Sequence, residues 1–229
     1  MLLNSIQILS ERPLGQDGKV IKIAGVIQRT AVGALLEKNS RAVCAAFVKL
    51  LEGKIAAGKF RKVSIYVNYT VPKSDYTIND GVVGVYENVD LGDYERMALF
   101  DRQVLLVKLV SKNLKRIFLK FGLDSEVLTA ASIELLGIPI CNLFLGKIFK
   151  NNENKMSARV EVLQDLEKST IKVVLKYIGN TYRYCVASSS PDEFIFQMFF
   201  GEIIWKDSER IVLRTLNSED YEFNLGDII

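Results

Sequence analysis

From Leu143 to Ala187 the chain repeats one arrangement, a strand-length run followed by a short polar break. The runs are Leu143 to Lys150, Met156 to Gln164, Thr170 to Ile178 and Thr181 to Ala187. The breaks are Asn151-Asn152-Glu153-Asn154, Asp165-Leu166-Glu167-Lys168 and Gly179-Asn180, the last a two-residue hairpin signal. An antiparallel meander follows. Ile203 to Trp205, Arg210 to Leu216 and Tyr221 to Leu225 extend the sheet, with a turn at Asp207-Ser208-Glu209. Before them, Ser190-Pro191-Asp192-Glu193 has capping-box spacing with Pro at the first helical position, which predicts a short helix through Phe200. The aromatic run Phe194 to Phe200 also fits a strand.

The first half alternates strand-like and helix-like pieces. Ser5 to Ser10 and Lys19 to Gln28 read as two strands of an opening β-hairpin around Pro13-Leu14-Gly15-Gln16-Asp17-Gly18. From Ala31 a helical pattern places Leu36, Val43, Phe47, Leu50 and Ile55 near one face, ending at Gly53 or Gly58, with Asn39-Ser40 able to cap a restart. Arg61 to Thr70 alternates as a half-buried strand, and a loop at Pro72 leads to a short strand at Val82 to Tyr86. Asp93 is placed to cap a long amphipathic helix with Glu95 in its first turn, an apolar stripe of Phe100, Val104, Val107, Leu114, Ile117, Phe118 and Phe121, and a stop at Gly122. A second helix, capped by Asp124 or Ser125, ends at Gly137.

Composition narrows the chemistry. The 229 residues include no histidine, which removes Ser-His-Asp and Cys-His nucleophile pairs, His-ligated zinc and any imidazole base. Cys44, Cys141 and Cys185 are isolated, form no CxxC pair and read as buried thiols among apolar neighbours. No secretory signal is expected in Met1 to Ser10. The most apolar stretch, Leu135 to Phe144, is about half of what a spanning helix needs. A soluble protein of the cytoplasm is the expectation. The balance of 30 basic and 27 acidic side chains hides an asymmetry, since residues 1–140 carry 19 and 14 and residues 141–229 carry 11 and 13.

Motifs for chemistry are few. Gly53 to Phe60 has phosphate-loop spacing, but Phe60 stands where a magnesium-ligating hydroxyl is required, and a helix precedes it where a strand is needed. Two carboxylate groups, Asp80 to Asp101 and Glu219 to Asp227, read mainly as loop and cap residues, and the second can mimic phosphate toward a basic cleft. Lys108, Lys112, Arg116 and Lys120, with Lys115 and Arg102 nearby, form a basic ridge roughly 18 Å long with few neighbouring acids. Trp205, beside Lys206 and Asp207, is placed as a rim anchor for a partner.

These observations predict an α+β fold: strands plus long amphipathic helices over 1–140, and an antiparallel β-meander with one short helix over 141–229, the two parts packed together. A histidine-free α+β chain with no cofactor motif, a charged ridge and an aromatic-rich sheet end resembles the bacterial immunity proteins that neutralise toxins. The resemblance is one of class and assigns no site residues. It implies a non-enzymatic protein-binding module, with Lys108, Lys112, Arg116, Lys120, Trp205, Glu219, Asp220 and Glu222 as contact candidates. No catalytic residue, cofactor or metal is expected. The alternatives are a nucleic-acid-associated protein using the basic ridge and an enzyme working through carboxylates.

Overall fold

The computed structural model describes residues 3–11, 22–23, 26–27, 30–55, 60–69, 76–151, 153, 155–207 and 210–227. The fold is mixed α+β, and contacts divide the chain into two compact units, Met1–Ile140 and Cys141–Ile229. No helix among the described residues is long and apolar enough to cross a membrane.

The first unit runs β1 (Ser5–Ser10), β2 (Lys22–Ile23), β3 (Val26–Ile27), α1 (Ala31–Leu51), β4 (Lys62–Val67), β5 (Tyr76–Asn79), β6 (Val82–Glu87), α2 (Leu99–Phe121) and α3 (Glu126–Gly137). Its main sheet has the order β1-β4-β6-β5, with β1, β4 and β6 parallel and β5 antiparallel at the edge. The expected opening hairpin is therefore corrected. β1 pairs with β4, and among the described residues β2 and β3 pair only with each other. The expected turn at 13–18 lies outside the described residues.

Side-chain alternation sends Ile6, Ile8, Val63, Ile65, Val83 and Val85 to one buried face, and α1 lies on it. Gly33 lets the helix approach, since an added Cβ would stand 2.6 Å from Ser10 Oγ. Glu37, buried in α1, accepts from the Ser10 backbone N–H at 2.8 Å and from its hydroxyl at 2.9 Å. α1 is continuous, so Asn39 and Ser40 cap nothing. Asn39 accepts from the hydroxyl of buried Tyr94 at 3.2 Å, and Ser40 donates to the Glu37 carbonyl.

That Tyr94 contact explains a second correction. Asp93 opens only a 3-10 turn, Tyr94–Arg96, held against α1, and α2 begins at Leu99 with no side-chain cap. Phe100 lies in its first turn and is 44% exposed, while Val107, Leu114, Ile117 and Phe118 form the buried stripe as expected. Gly122 ends α2 at φ 66°, the left-handed conformation a stop glycine supplies. Gln103 then ties α2 to the end of α3. Its Nε2 donates to the Leu135 and Ile138 carbonyls, both at 2.7 Å, and its Oε1 accepts from the Ile140 N–H at 2.9 Å.

The second unit contains β7 (Asn142–Leu145), β8 (Phe149–Asn151), β9 (Met156–Gln164), β10 (Ser169–Tyr177), β11 (Asn180–Ser189), α4 (Glu193–Phe196), β12 (Glu202–Trp205), β13 (Arg210–Arg214) and β14 (Asp220–Asn224). The first five form an antiparallel sheet in the order β11-β10-β9-β7, with β8 also on β9. The last three form a second sheet. Leu143 to Lys150 is two strands, not one, broken at Gly146 to Ile148. Val160, Val162, Ile171, Val173, Leu175, Phe196, Ile203, Ile211 and Leu213 are buried in one core.

α4, continued by a 3-10 turn at Gln197–Phe199, is the predicted short helix, but Asp192 caps it instead of Ser190. The Pro191 carbonyl is taken by Gln164 Nε2 at 2.9 Å, and the Asp192 side chain accepts from the Phe194 N–H. Gly201 has no substitute, because a Cβ there would lie 1.9 Å from the Arg214 carbonyl oxygen.

Candidate functional site

Lys108, Lys112, Arg116 and Lys120 recur along α2, but the ridge is not free of acids. Glu87, at the carboxyl end of β6, accepts from Lys112 Nζ at 2.8 Å and from Arg116 Nη1 at 3.3 Å. Arg116 also donates to Asn113 Oδ1 at 3.1 Å. The expectation of an unneutralised ridge is corrected at its centre, because the compensating charge comes from a strand and not from the helix itself. Lys108 and Lys120 are exposed at the two ends. Arg102 turns away, donating to the Tyr94 and Glu95 carbonyls and lying over the Tyr94 ring.

The C-terminal acids are compensated in the same way. Arg214 grips Asp220 through two bonds of 2.8 and 2.9 Å, and its hydrogen bond holds the Asp220 carboxyl below the ordinary carboxylate range. Arg210 pairs with Glu222 at 3.3 Å and with Asp207 at 2.7 Å. Tyr221 donates to Glu219 at 3.4 Å. Asp220 and Glu222 are thus paired with arginines, while Glu219 accepts from a tyrosine, and all three carboxylates remain exposed. Trp205 is half-buried. It shares the inward face of β12 with Ile203, opposite Ile211, and packs on the core with its Nε1 buried and unpartnered among the described residues.

The thiols divide. Cys44 is buried, whereas Cys141 and Cys185 are exposed, contrary to expectation. For Cys185, within the Asn180–Ser189 strand, apolar sequence neighbours mislead because alternate residues of a strand face opposite sides. Gly53 stands just beyond α1 at φ 71°, and Phe60 is fully buried. Residues 56–59 of the phosphate-loop match lie outside those described. Among the described residues no group of three His, Cys, Asp or Glu side chains is placed to hold a metal. An open pocket of about 470 Å³ beside the start of α1 is lined by Ala31, Val32, Leu91, Gly92 and Glu95, one ionisable group among them.

A second basic surface was not anticipated. Register places Ser157, Arg159, Glu161 and Leu163 of β9 on the outer face of the five-stranded sheet, beside Thr170, Lys172, Val174 and Lys176 of β10. Thr181, Arg183 and Cys185 of β11 continue it. Val174, 2% exposed, is the centre, with Arg159 and Arg183 directly across on either side and Lys172 and Lys176 two residues away along β10. Neighbours in such a lattice stand about 5 to 7 Å apart. Glu161, 6% exposed, is the one carboxylate on these three strands' outer face among the described residues. It accepts from Arg159 Nε at 2.9 Å and from its Nη2, and lies 3.7 Å from Arg183 Nε. Leu143 and Leu145 of β7 adjoin the cations at 40% and 51% exposure, and no aromatic ring lies on this face of the described strands.

The signal for this surface was present in the predicted strands 156–164 and 170–178, since counting by twos brings Arg159, Lys172 and Lys176 to one side. The missing information was the cross-strand register, which a linear charge count does not hold. Comparisons with protein-family models, with curated proteins and with solved structures find no match to this chain.

Proposed function

We propose that the chain is a non-enzymatic protein-binding module of the cytoplasm that holds an acidic partner surface on the outer face of β9, β10 and β11. The observation that carries this reading is the set Arg159, Lys172, Lys176 and Arg183 around Val174, with Glu161 as its one counter-charge among the described residues of those strands. Charged rims steer encounter and select partners of opposite sign, and the adjoining Leu143 and Leu145 add apolar area that water-exposed cations alone lack. Neutralisation of a toxin domain with an acidic surface, in the manner of bacterial immunity proteins, is one case of this function. Exposed free thiols at Cys141 and Cys185 suit a reducing compartment.

Two features weigh against nucleic acid. Single-stranded binders stack bases on aromatic rings, which this face lacks among the described residues, and the α2 ridge is partly neutralised at its centre, where Glu87 meets Lys112 and Arg116. The test is capture from native lysate with the wild-type chain and with a Lys172→Glu, Lys176→Glu double variant. The expected result is a stoichiometric acidic protein that the variant loses. Recovery of nuclease-sensitive nucleic acid, or equal capture by the variant, overturns the reading.

A further inference from the structure

The two edges of the five-stranded sheet differ. At one edge the chain is split into β7 and β8 by residues 146–148, so neither piece offers a long ladder. At the other, β11 runs unbroken for ten residues from Asn180 to Ser189, and among the described strands it pairs with β10 alone. Its open side presents a row of backbone N–H and C=O groups. Natural edges are usually blunted by proline, by lysine and other charges, by bulges or by being short. β11 contains neither proline nor lysine, and its irregularity is a single register shift opposite Ile171 and Lys172.

The side chains flanking that edge differ by face. On the outer face Thr181, Arg183 and Cys185 are exposed, with Lys172 and Lys176 one strand behind. On the inner face Tyr182 and Val186 are half-buried, and Tyr184, 40% exposed, meets Phe223 edge-on at 4.9 Å between centroids. A strand added beside β11 would alternate in the same way. Its outward residues would face Arg183 and the lysines behind it, and its inward residues would extend the layer of Tyr182, Tyr184 and Val186.

We infer that the open edge of β11 receives an extended segment of a partner protein, with acidic residues at alternate positions and apolar residues between them. This rests on the acidic-partner reading above and adds its mode, in which backbone pairing supplies much of the affinity and the two faces of β11 supply the sequence preference.

The probe is a blocked, fluorescent nonapeptide of alternating Glu and Val, titrated against the full chain. Three companion peptides carry Lys in place of Glu, N-methyl groups on the Glu amides, or N-methyl groups on the Val amides. The expected result is micromolar binding of the Glu/Val peptide, at least about tenfold weaker binding of the Lys/Val peptide, and loss for one N-methylated peptide but not the other, since alternate amides of a strand point to opposite sides. Peptide binding should slow hydrogen exchange in β11. Arg183→Glu should weaken the Glu/Val peptide about tenfold. Because Arg183 also faces Glu161, Thr181→Glu repeats the charge change away from that pair and should act in the same direction.

Equal binding of both N-methylated peptides overturns the edge while leaving an acidic partner on the sheet face. Equal binding of the Glu and Lys peptides overturns both readings. No binding at millimolar peptide, or a dimer in sedimentation that protects β11 without peptide and so assigns the edge to a second copy, overturns the inference.

Discussion

Ile178 and Gly179 are the two central residues of the β10–β11 hairpin, at φ 47° and 77°. Both central residues of a type I′ turn need positive φ, which suits Asn-Gly and is costly for a β-branched side chain. Ile178 is 73% exposed, so little burial offsets that cost. Ile178→Asn is expected to raise stability by about 1 kcal/mol, seen as a higher urea midpoint at unchanged slope, and a lower midpoint would refute it. In the sequence Gly179-Asn180 reads as the loop, one residue late, because glycine marks a turn without saying which of its positions it fills. The cysteines make a second residue-scale case. Burial pushes the Cys44 thiol up to about 12 from an ordinary value of 9.0. It therefore stays protonated in the fold while the unfolded chain loses its proton near pH 9, and folding stability falls as pH rises from about 9 to 12. At pH 8 an aromatic disulfide reagent should modify Cys141 and Cys185 rapidly and Cys44 only in denaturant. Three fast thiols in the native protein would contradict the packing of α1.

Elements whose evidence is local were legible, and their partners were not. Met156 to Gln164 coincides with β9, and Gly122 ends α2, because alternation and a left-handed stop are written within a few residues. β1 alternates equally well, but alternation is the same for a hairpin arm and for a parallel strand, so its pairing with β4 across α1 was hidden. The start of α2 failed for a related reason, since burial of Tyr94 against Asn39 overrides the capping signal at Asp93. Gln103 shows how much one such unread contact organises. Its amide, 2% exposed, satisfies three backbone groups at the end of α3. Gln103→Ala should cost about 3 kcal/mol and speed hydrogen exchange at the Ile140 amide. Gln103→Glu should be no better, since a carboxylate cannot donate to the Leu135 and Ile138 carbonyls. A near-neutral Gln103→Ala would show that water replaces the side chain.

At the scale of the whole molecule, charge is segregated more sharply than its totals suggest. Residues 141–229 carry 11 basic and 13 acidic side chains, yet the outer face of β9 to β11 holds Arg159, Lys172, Lys176 and Arg183 against Glu161 alone among its described residues. Many of the balancing acids lie elsewhere, Asp207, Asp220 and Glu222 among them, locked to Arg210 and Arg214. A sum over sequence cancels these charges; a partner meeting one face does not. Association through this face should weaken by several-fold to about tenfold between 50 and 300 mM salt, as the screening length shrinks below the width of the patch. A phosphate backbone neutralised at six or more sites would lose about a thousandfold or more over a comparable range, so the slope separates a protein partner from a nucleic acid. Affinity should also be flat from pH 6 to 8, because the chain has no histidine to titrate there. Titrating the captured partner across both variables checks the pair together. A salt-independent affinity would remove the cationic face from the interface, and a step in affinity near neutral pH would place the titrating group on the partner, since the chain has no histidine.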